Sequence, residues 1–533
     1  MFNKSLRTAL LGSGAAFGLM AGPALAGQAD DLQSQIDSLQ SRLDQLEKQK
    51  ASVETTQVAA PADAVIGGDF PGSWKLPGSD TSMAIHGYIK ADFMYDFDQF
   101  LGDTFANTAI AGDHTANSHQ GGYFHFDARQ TRFNIETRTP TDWGQLKTFL
   151  EMDFYGTNAA RADNIQSGGG NTSNVLRMRH AYGMLGPVLA GQTWSNFDDV
   201  DDLPEQLDFN GGQGEAAGRQ TQLRYVAPLG KWTLSASMEN QQARIGSFAS
   251  ANPVPFGASI GTIGFAGFPA GTPVGYHGFA SCGLLTTSGG AIGNCTDPMP
   301  DITGRIQYAD TWGHVSLSGV LRDFNYDDGG NGTNGSVAGS AIGNKVGHTG
   351  STIGGGVLLG TNIAIGQWFG GPFAKDYVGA NGSFGYGDER YFDTGAVTPG
   401  LDGAAVATQG PGGTYSISIK TIEHITGNAW YQHWWTDNVR TNIVYGIGMW
   451  SYGSIPHAVD TGAVGTSQYN QIQTAYINLI WSPVKSVNIG LEFMYGELEK
   501  RGLGGALGPC GSSQCGGNVG EAKRLMASLQ YVF

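Results

Sequence analysis

The chain has 533 residues, including 83 glycines, 11 tryptophans and 20 tyrosines, with only 14% charged residues, a formal net charge of −16 and a mean hydropathy of −0.20. No run of about 18 apolar residues follows the amino terminus, which argues against helical membrane spans. The acidic balance argues against a nucleic-acid partner, whereas strands that show lipid only every second residue are compatible with a weakly polar average.

The first 26 residues have the three parts of an export signal: a basic region with Lys4 and Arg7, an apolar stretch over 10–20, and the small-residue site Ala24-Leu25-Ala26. Cleavage after Ala26 removes those two cations and no acid, taking the formal charge from −16 to −18. An uncleaved amphipathic anchor is the alternative. Over 27–54, Leu32, Ile36, Leu39, Leu43, Leu46 and Val53 follow a four-three spacing in which Lys50 takes one apolar slot, predicting a short coiled-coil helix. A helix this short is marginal alone, so its stripe implies partners, copies of itself or its own chain. Residues 55–81, rich in Ala, Pro and Gly, read as a linker.

From 82 to 533 the pattern becomes that of strands. The hairpin at 128–154 shows it best: Phe133 and Ile135 alternate with Arg132, Asn134, Glu136 and Arg138, and beyond the Pro140-Thr141-Asp142 turn Leu146, Leu150 and Met152 alternate with Lys147, Glu151 and Asp153. One face suits oil and the other water. Strands are predicted at 83–96, 122–138, 144–156, 173–186, 187–196, 217–228, 230–242, 301–311, 312–324, 351–360, 361–369, 420–435, 438–452, 471–482, 485–498 and 520–533. Their connections alternate long and short, the short ones including Gly186-Pro187, Thr311-Trp312-Gly313, Gly360-Thr361 and Thr436-Asp437-Asn438. A sixteen-stranded antiparallel transmembrane β-barrel, all-β, with short periplasmic turns and long outer loops, produces that rhythm.

The last strand alternates Leu525, Ala527, Leu529, Tyr531 and Phe533 with polar residues and ends on an aromatic, like the terminal strand of bacterial outer-membrane barrels. Trp434, Trp435, Trp481, Tyr182 and Tyr531 fall near strand ends, where an aromatic girdle is expected. Cys282, Cys295, Cys510 and Cys515 form two close pairs in outer loops. Local disulfides suit an exported chain, and a four-thiolate zinc site is the competing reading, disfavoured by the lack of a C-x2-C knuckle.

Several segments resemble one family. The 128–156 hairpin, Arg177-Met-Arg-His-Ala-Tyr182 with Leu189-Ala-Gly-Gln-Thr-Trp194, Tyr431-Gln-His-Trp-Trp-Thr-Asp-Asn438, Asn478-Leu-Ile-Trp-Ser-Pro483 and the Lys75-Leu-Pro-Gly78 approach to the barrel are similar to the DcaP-like outer-membrane porins of Gram-negative bacteria. The resemblance implies a homotrimer with a periplasmic coiled coil, lodged among outer-membrane lipids, and passage of dicarboxylates and other small organic anions.

Permeation breaks no bond, so the chemistry that matters is the charge lining the pore. Alternation assigns Lys90, Arg132, Arg138, Lys147, Arg177, Arg179, Arg224, Arg305 and Arg322 to the lumen, a basic lining on an acidic protein. Guanidinium groups stay charged and match a carboxylate with a planar fork of donors, so successive arginines can hand an anion along; some will instead pair with Glu136, Glu151 and Asp153 and brace the wall. Arg219 has outer-face parity and is placed at a rim or subunit contact. The loop 195–218 carries Asp198, Asp199, Asp201, Asp202, Glu205, Asp208 and Glu215 without one Lys or Arg. It is expected to fold inward and narrow the pore, its acids facing the arginines; a solvated outer loop and Ca²⁺ binding over 198–202 are the other readings.

No G-x-S-x-G, H-E-x-x-H or G-x-x-x-x-G-K-[ST] motif occurs, so the chain is not expected to be an enzyme or to need a cofactor. The expectation is a porin for small hydrophilic solutes that prefers organic anions. The alternative is a structural tether between envelope layers, anchored by a plugged barrel.

Overall fold

The computed structural model describes residues 67–113, 118, 121–156, 175–241, 244–249, 277–281, 294–296, 299–327, 349–392, 402–409, 415–455, 469–501 and 519–533. The signal peptide, Leu32, Ile36, Leu39, Leu43 and Leu46 of the heptad helix, and Cys282, Cys510 and Cys515 lie outside them, and of Cys295 only the backbone is described.

Sixteen strands form one closed antiparallel barrel. They are β1 (Ser82–Asp96), β2 (Arg132–Thr141), β3 (Gly144–Gly156), β4 (Val175–Leu185), β5 (Val188–Trp194), β6 (Arg219–Leu229), β7 (Trp232–Glu239) and β8 (Asp301–Asp310). The ring continues through β9 (Gly313–Asp327), β10 (Thr349–Ile363), β11 (Tyr377–Tyr386), β12 (Glu423–Trp434), β13 (Val439–Ser451), β14 (Tyr469–Val484), β15 (Val487–Lys500) and β16 (Val519–Val532). It closes where β16 pairs with β1, from Tyr88 opposite Val532 to Asp96 opposite Arg524. Closure leaves no strand edge, which an antiparallel sheet in lipid requires. Tyr123–Asp127 also pairs with β1 and extends the line of β2 outward. Within the segment read as a linker, Trp74–Lys75 pairs with Ser82 and Met83.

Alternation holds as the hairpin predicts. On β1, Ala84, Lys90, Asp92, Met94 and Asp96 are buried inside, while Ile85, Ile89 and Tyr95 are exposed outside. Around the barrel Leu223, Tyr225, Leu317, Leu359, Ile443, Leu479 and Leu491 extend this apolar outer surface. Trp143, Trp232, Trp435 and Trp481 stand outside at the end with the short turns. Two aromatics placed in the girdle are inside instead: Tyr182 is registered with Phe149 on the inner face, and Trp434 donates to Gln432 beneath the Arg440 guanidinium.

The tenth and eleventh strands differ from expectation. The split at Gly360-Thr361 does not exist: β10 runs unbroken through it, and the eleventh strand is the glycine-rich β11, placed by the sequence in a loop. Gly360 marks a close approach, not a turn. A Cβ there would lie 2.5 Å from carboxylate oxygens of Asp199 and Asp202, which belong to a loop packed against the inner wall.

Candidate functional site: the charged lumen

Residues 195–218 leave β5 and run along the inner wall. Arg305 of β8 donates to the Asp198 carbonyl at 2.6 Å and the Asp199 carboxylate at 2.7 Å, and His314 and Ser316 of β9 close on the other Asp199 oxygen. Asn381 on β11 reaches Asp202, Trp430 on β12 donates to the Asp202 carbonyl, and Arg440 on β13 grips Glu205 with both arms. Farther along, the Leu207 and Asp208 amides donate to Glu492 of β15 at 3.0 Å each, Lys90 donates to the Leu207 carbonyl at 2.6 Å, and Tyr476 to the Gly211 carbonyl at 3.1 Å. The loop lies against the inner wall, and its acids pair locally: Asp199 meets Arg305 and Glu205 meets Arg440, not Arg132, Arg177 or Arg179. Asp201 alone among the seven loop acids is exposed. Among the described residues no group of three or more His, Cys, Asp or Glu is placed to hold a metal ion.

Burial sets the protonation of these acids. Desolvation pushes Asp202 up to about 9 and Glu215 up to about 8, because no cation compensates either fully. Burial also acts on Asp199, but the hydrogen bonds from His314 and Ser316 and the charge of Arg305 outweigh it and hold that carboxyl below its ordinary value.

Two further segments fill the lumen beside the loop. Leu101, Phe105 and Ile110 pack with Leu207 against Tyr476, Met494, Leu498 and Met526 of the inner wall. Phe197 meets Tyr391 and Phe392 near Val320 and Leu358. The basic residues are thereby sorted. Arg322 is buried between Asp301 and Asp402, and Lys90 between Asp92, Gln130 and the Leu207 carbonyl, so both brace the wall. Arg305 holds the loop, and Arg224 donates to Gln222 and the Trp194 carbonyl.

The β2–β4 wall is different. Its side chains keep contact with solvent, 21% for Arg132, 31% for Arg177, 33% for Arg138 and 28% for Lys147. Arg177 forks onto Asp153 at 2.9 and 2.6 Å, Arg179 bridges Glu151 at 2.8 Å and Asp153 at 3.0 Å, and Arg132 lies 3.5 Å from Glu151. A bulge makes this possible: Glu151 pairs with His180 and Met152 with Met178, leaving Arg179 as the extra residue and turning both Arg179 and His180 inward.

Residues 22–239 match the DcaP outer membrane protein family. The crystal structure of the outer membrane channel DcaP of Acinetobacter baumannii is similar at a TM-score of 0.58 and 18% identity, over 88% of this chain and 100% of that one. The fold of this barrel is similar to that channel's. Looser similarity extends to the anion-selective porin from Comamonas acidovorans, at a TM-score of 0.43 and 11% identity over 85% of this chain and 100% of that one. The trimer form of OmpT from Vibrio cholerae stands at 0.41 and 10%, over 85% and 99%. No curated protein matches the chain in sequence.

The barrel brings into the basic wall three residues that parity could not place. Arg219, read as outward, pairs with Trp194 where β5 and β6 part, and its guanidinium sits 4.7 Å from the Trp194 ring, which also meets Arg179 at 5.9 Å. Pairing ends there, so alternation no longer dictates facing. Phe209, at the far reach of the inner loop, stacks on Tyr155 at 4.9 Å and lies 5.1 and 5.2 Å from the Arg177 and Arg179 guanidiniums. Arg129, in the break before β2, pairs with Asp103 and Asp127. None of the three carried a readable signal: the strand expected over 122–138 is in fact broken between Asp127 and Arg132, and Arg129 lies in that break.

Proposed function

We propose that the protein is a porin for passive diffusion of small hydrophilic solutes with a preference for organic anions such as dicarboxylates, and that it works as a homotrimer joined through the 27–54 heptads. One observation carries the anion preference. Four guanidiniums, Arg132, Arg177, Arg179 and Arg219, share a neighbourhood with two carboxylates, Glu151 and Asp153, where Arg132 and Arg177 keep contact with water and Arg179 is buried. The surplus positive charge lies in a partly desolvated channel, where it attracts anions more strongly than it would in bulk water. The arms of Arg177 and Arg132 that remain accessible offer a carboxylate a second, competing fork, which favours transfer over retention.

The inner loop 195–218 is the proposed constriction. Anchored from β8 to β15, it narrows the lumen toward the arginine wall and presents Phe209 to it. Deleting 198–208 should raise single-channel conductance in planar bilayers, and an unchanged conductance would sink the constriction.

Reversal potentials in a salt gradient test selectivity. The unmodified protein should be anion-selective, and Arg132→Ala with Arg179→Ala should lower the anion-to-cation permeability ratio by at least about threefold, since Glu151 then loses both of its guanidinium partners and Asp153 keeps only Arg177. Cation selectivity of the unmodified protein overturns the reading. The packing of three segments inside the lumen favours a second reading, a plugged anchor; absence of any conductance in bilayers would support it.

A further inference from the structure

The outer wall carries a feature that the pore does not use. At the end with the short turns, Trp232, Ile306, Tyr308, Trp312, Val315 and Leu317 line an apolar cavity of about 340 Å³ that opens away from the lumen. Registers place it across three strands: Tyr308 of β8 lies between Trp232 of β7 and Val315 of β9, and Ile306 lies beside Leu317 in the next outward row. The aromatic walls are ordered, with Trp232 edge-on to Tyr308 at 4.9 Å and Trp312 stacked beside Tyr308 at 6.3 Å. Its size falls within the roughly 300–1,000 Å³ of small-molecule sites, on a surface otherwise made of outward-pointing Leu and Ile.

A polar pair adjoins Tyr308. Lys231 meets Asp310 at 2.5 Å, and the Tyr308 hydroxyl, whose ring lines the cavity, donates to the same Asp310 oxygen at 3.3 Å. The other Asp310 oxygen accepts from the Thr311 amide at 2.8 Å. Asp310 is thus engaged on both oxygens, while Lys231 is 58% exposed and its ammonium, with three donors, stays open to the interface. An apolar slot beside an exposed cation, at the level where short turns meet the membrane surface, has the layout of a phospholipid: acyl chain in hydrocarbon, phosphate at the interface.

We propose that this cavity binds a phospholipid of the periplasmic leaflet, with an acyl chain against the wall formed by Trp232, Tyr308 and Trp312 and the phosphate on Lys231. The site is continuous with the lipid-facing belt, and it stands whether or not the pore prefers anions. The headgroup is recognised by its phosphate, because the neighbouring acid is already satisfied by Lys231, Tyr308 and Thr311.

The full-length protein in detergent, stripped of lipid and titrated with phosphatidylethanolamine, should retain one tightly held lipid per chain in native mass spectrometry. Trp232→Ala with Trp312→Ala should cut that occupancy by about tenfold, two large aromatic contacts being lost. Lys231→Glu, at an exposed turn where folding is safe, should cut it by about fivefold while leaving a neutral diacylglycerol probe unaffected. Heat-modifiable migration on gels checks that each variant is folded. Unchanged lipid occupancy in Lys231→Glu overturns the proposal, as does equal loss of phospholipid and diacylglycerol. A fall in oligomer mass with lipid retention unchanged would also overturn it, assigning the groove to a second copy of the chain.

Discussion

The two halves of the lumen are built from the same residue types and do opposite things. Along β12–β16 and β1 the inner face is a protein core: Trp430, Val444, Ile472, Tyr476 and Met494 are packed by the inward segments, and Arg524 is locked onto Asp96 at 2.5 and 2.9 Å with both side chains fully buried. Along β2–β4 the arginines pair as well, but all except the buried Arg179 do so at the edge of solvent, and they outnumber their acids. A buried ion pair repays its desolvation only by complete pairing, so the packed half cannot spare a charge for a solute. The wet half can. What distinguishes a brace from a binding group is therefore the share of each guanidinium left to water and the count of carboxylates around it.

That contrast is most sharply broken by charge deletion. Arg524→Met strands Asp96 in a dry site and should cost about 3–5 kcal/mol, read as a lowered midpoint in urea unfolding of the heat-modifiable band. Arg177→Met leaves Asp153 still held by Arg179 and should cost no more than about 1 kcal/mol, while lowering anion preference. Equal destabilisation by the two variants would mean that the halves are not different in kind. Next in size is overpacking on the wall beneath the inner loop. Gly360→Leu forces the Asp199 and Asp202 carboxylates off β10 and should cost about 1–3 kcal/mol, with a lower single-channel conductance as the loop moves into the lumen.

Much of this contrast lies beyond what a sequence can show. Alternation placed Lys90, Arg132, Arg177, Arg305 and Arg322 on the inner face because a strand reverses facing at every residue, and all five are there. It could not separate Arg322, sealed by Asp301 and Asp402, from Arg132, because the partners are set by inward segments remote in the chain. The Glu205 clamp on Arg440 spans 235 residues and has no local signature. The bulge at Arg179 inserts a residue without changing composition, so His180 turned inward unannounced. Glycine misled in the opposite direction: Gly360 resembles a turn former, yet its lack of a side chain serves a neighbour, and the strand it seemed to end was counted twice while β11 went unseen.

The acids of the inner loop give the comparison a pH axis. Asp202 and Glu215 have folded values of about 9 and about 8, above the unfolded carboxylate range, so the folded loop holds protons that the unfolded chain releases. Their contribution is full at about pH 4 and is lost as pH rises through about 8 to 9. Asp199 runs the other way, its lowered value giving stability above about pH 4 that disappears in acid. The midpoint of urea unfolding should fall between pH 5 and 9, and Asp202→Asn with Glu215→Gln should flatten that slope. A slope unchanged in the double variant would show that these two acids do not titrate as the packing of the loop requires.

The smallest effect belongs to the short-turn end of the wet wall. Arg138 holds Glu136 at 2.6 Å and Lys147 holds its other oxygen at 3.1 Å, so one acid serves two cations, and the Phe70 ring covers Arg138 at 4.4 Å. Glu136→Gln releases a positive charge where solutes enter or leave, and should strengthen anion preference without touching the cluster deeper in the pore. Because this site is part-exposed and screening acts over about 10 Å at 0.1 M salt, the gain should stay below about twofold and vanish near 1 M. The Arg132 and Arg179 effect, seated where water is scarcer, should persist to higher salt. If the two salt dependences coincide, selectivity is set by the summed charge of the wall, and the depth at which each arginine sits is immaterial.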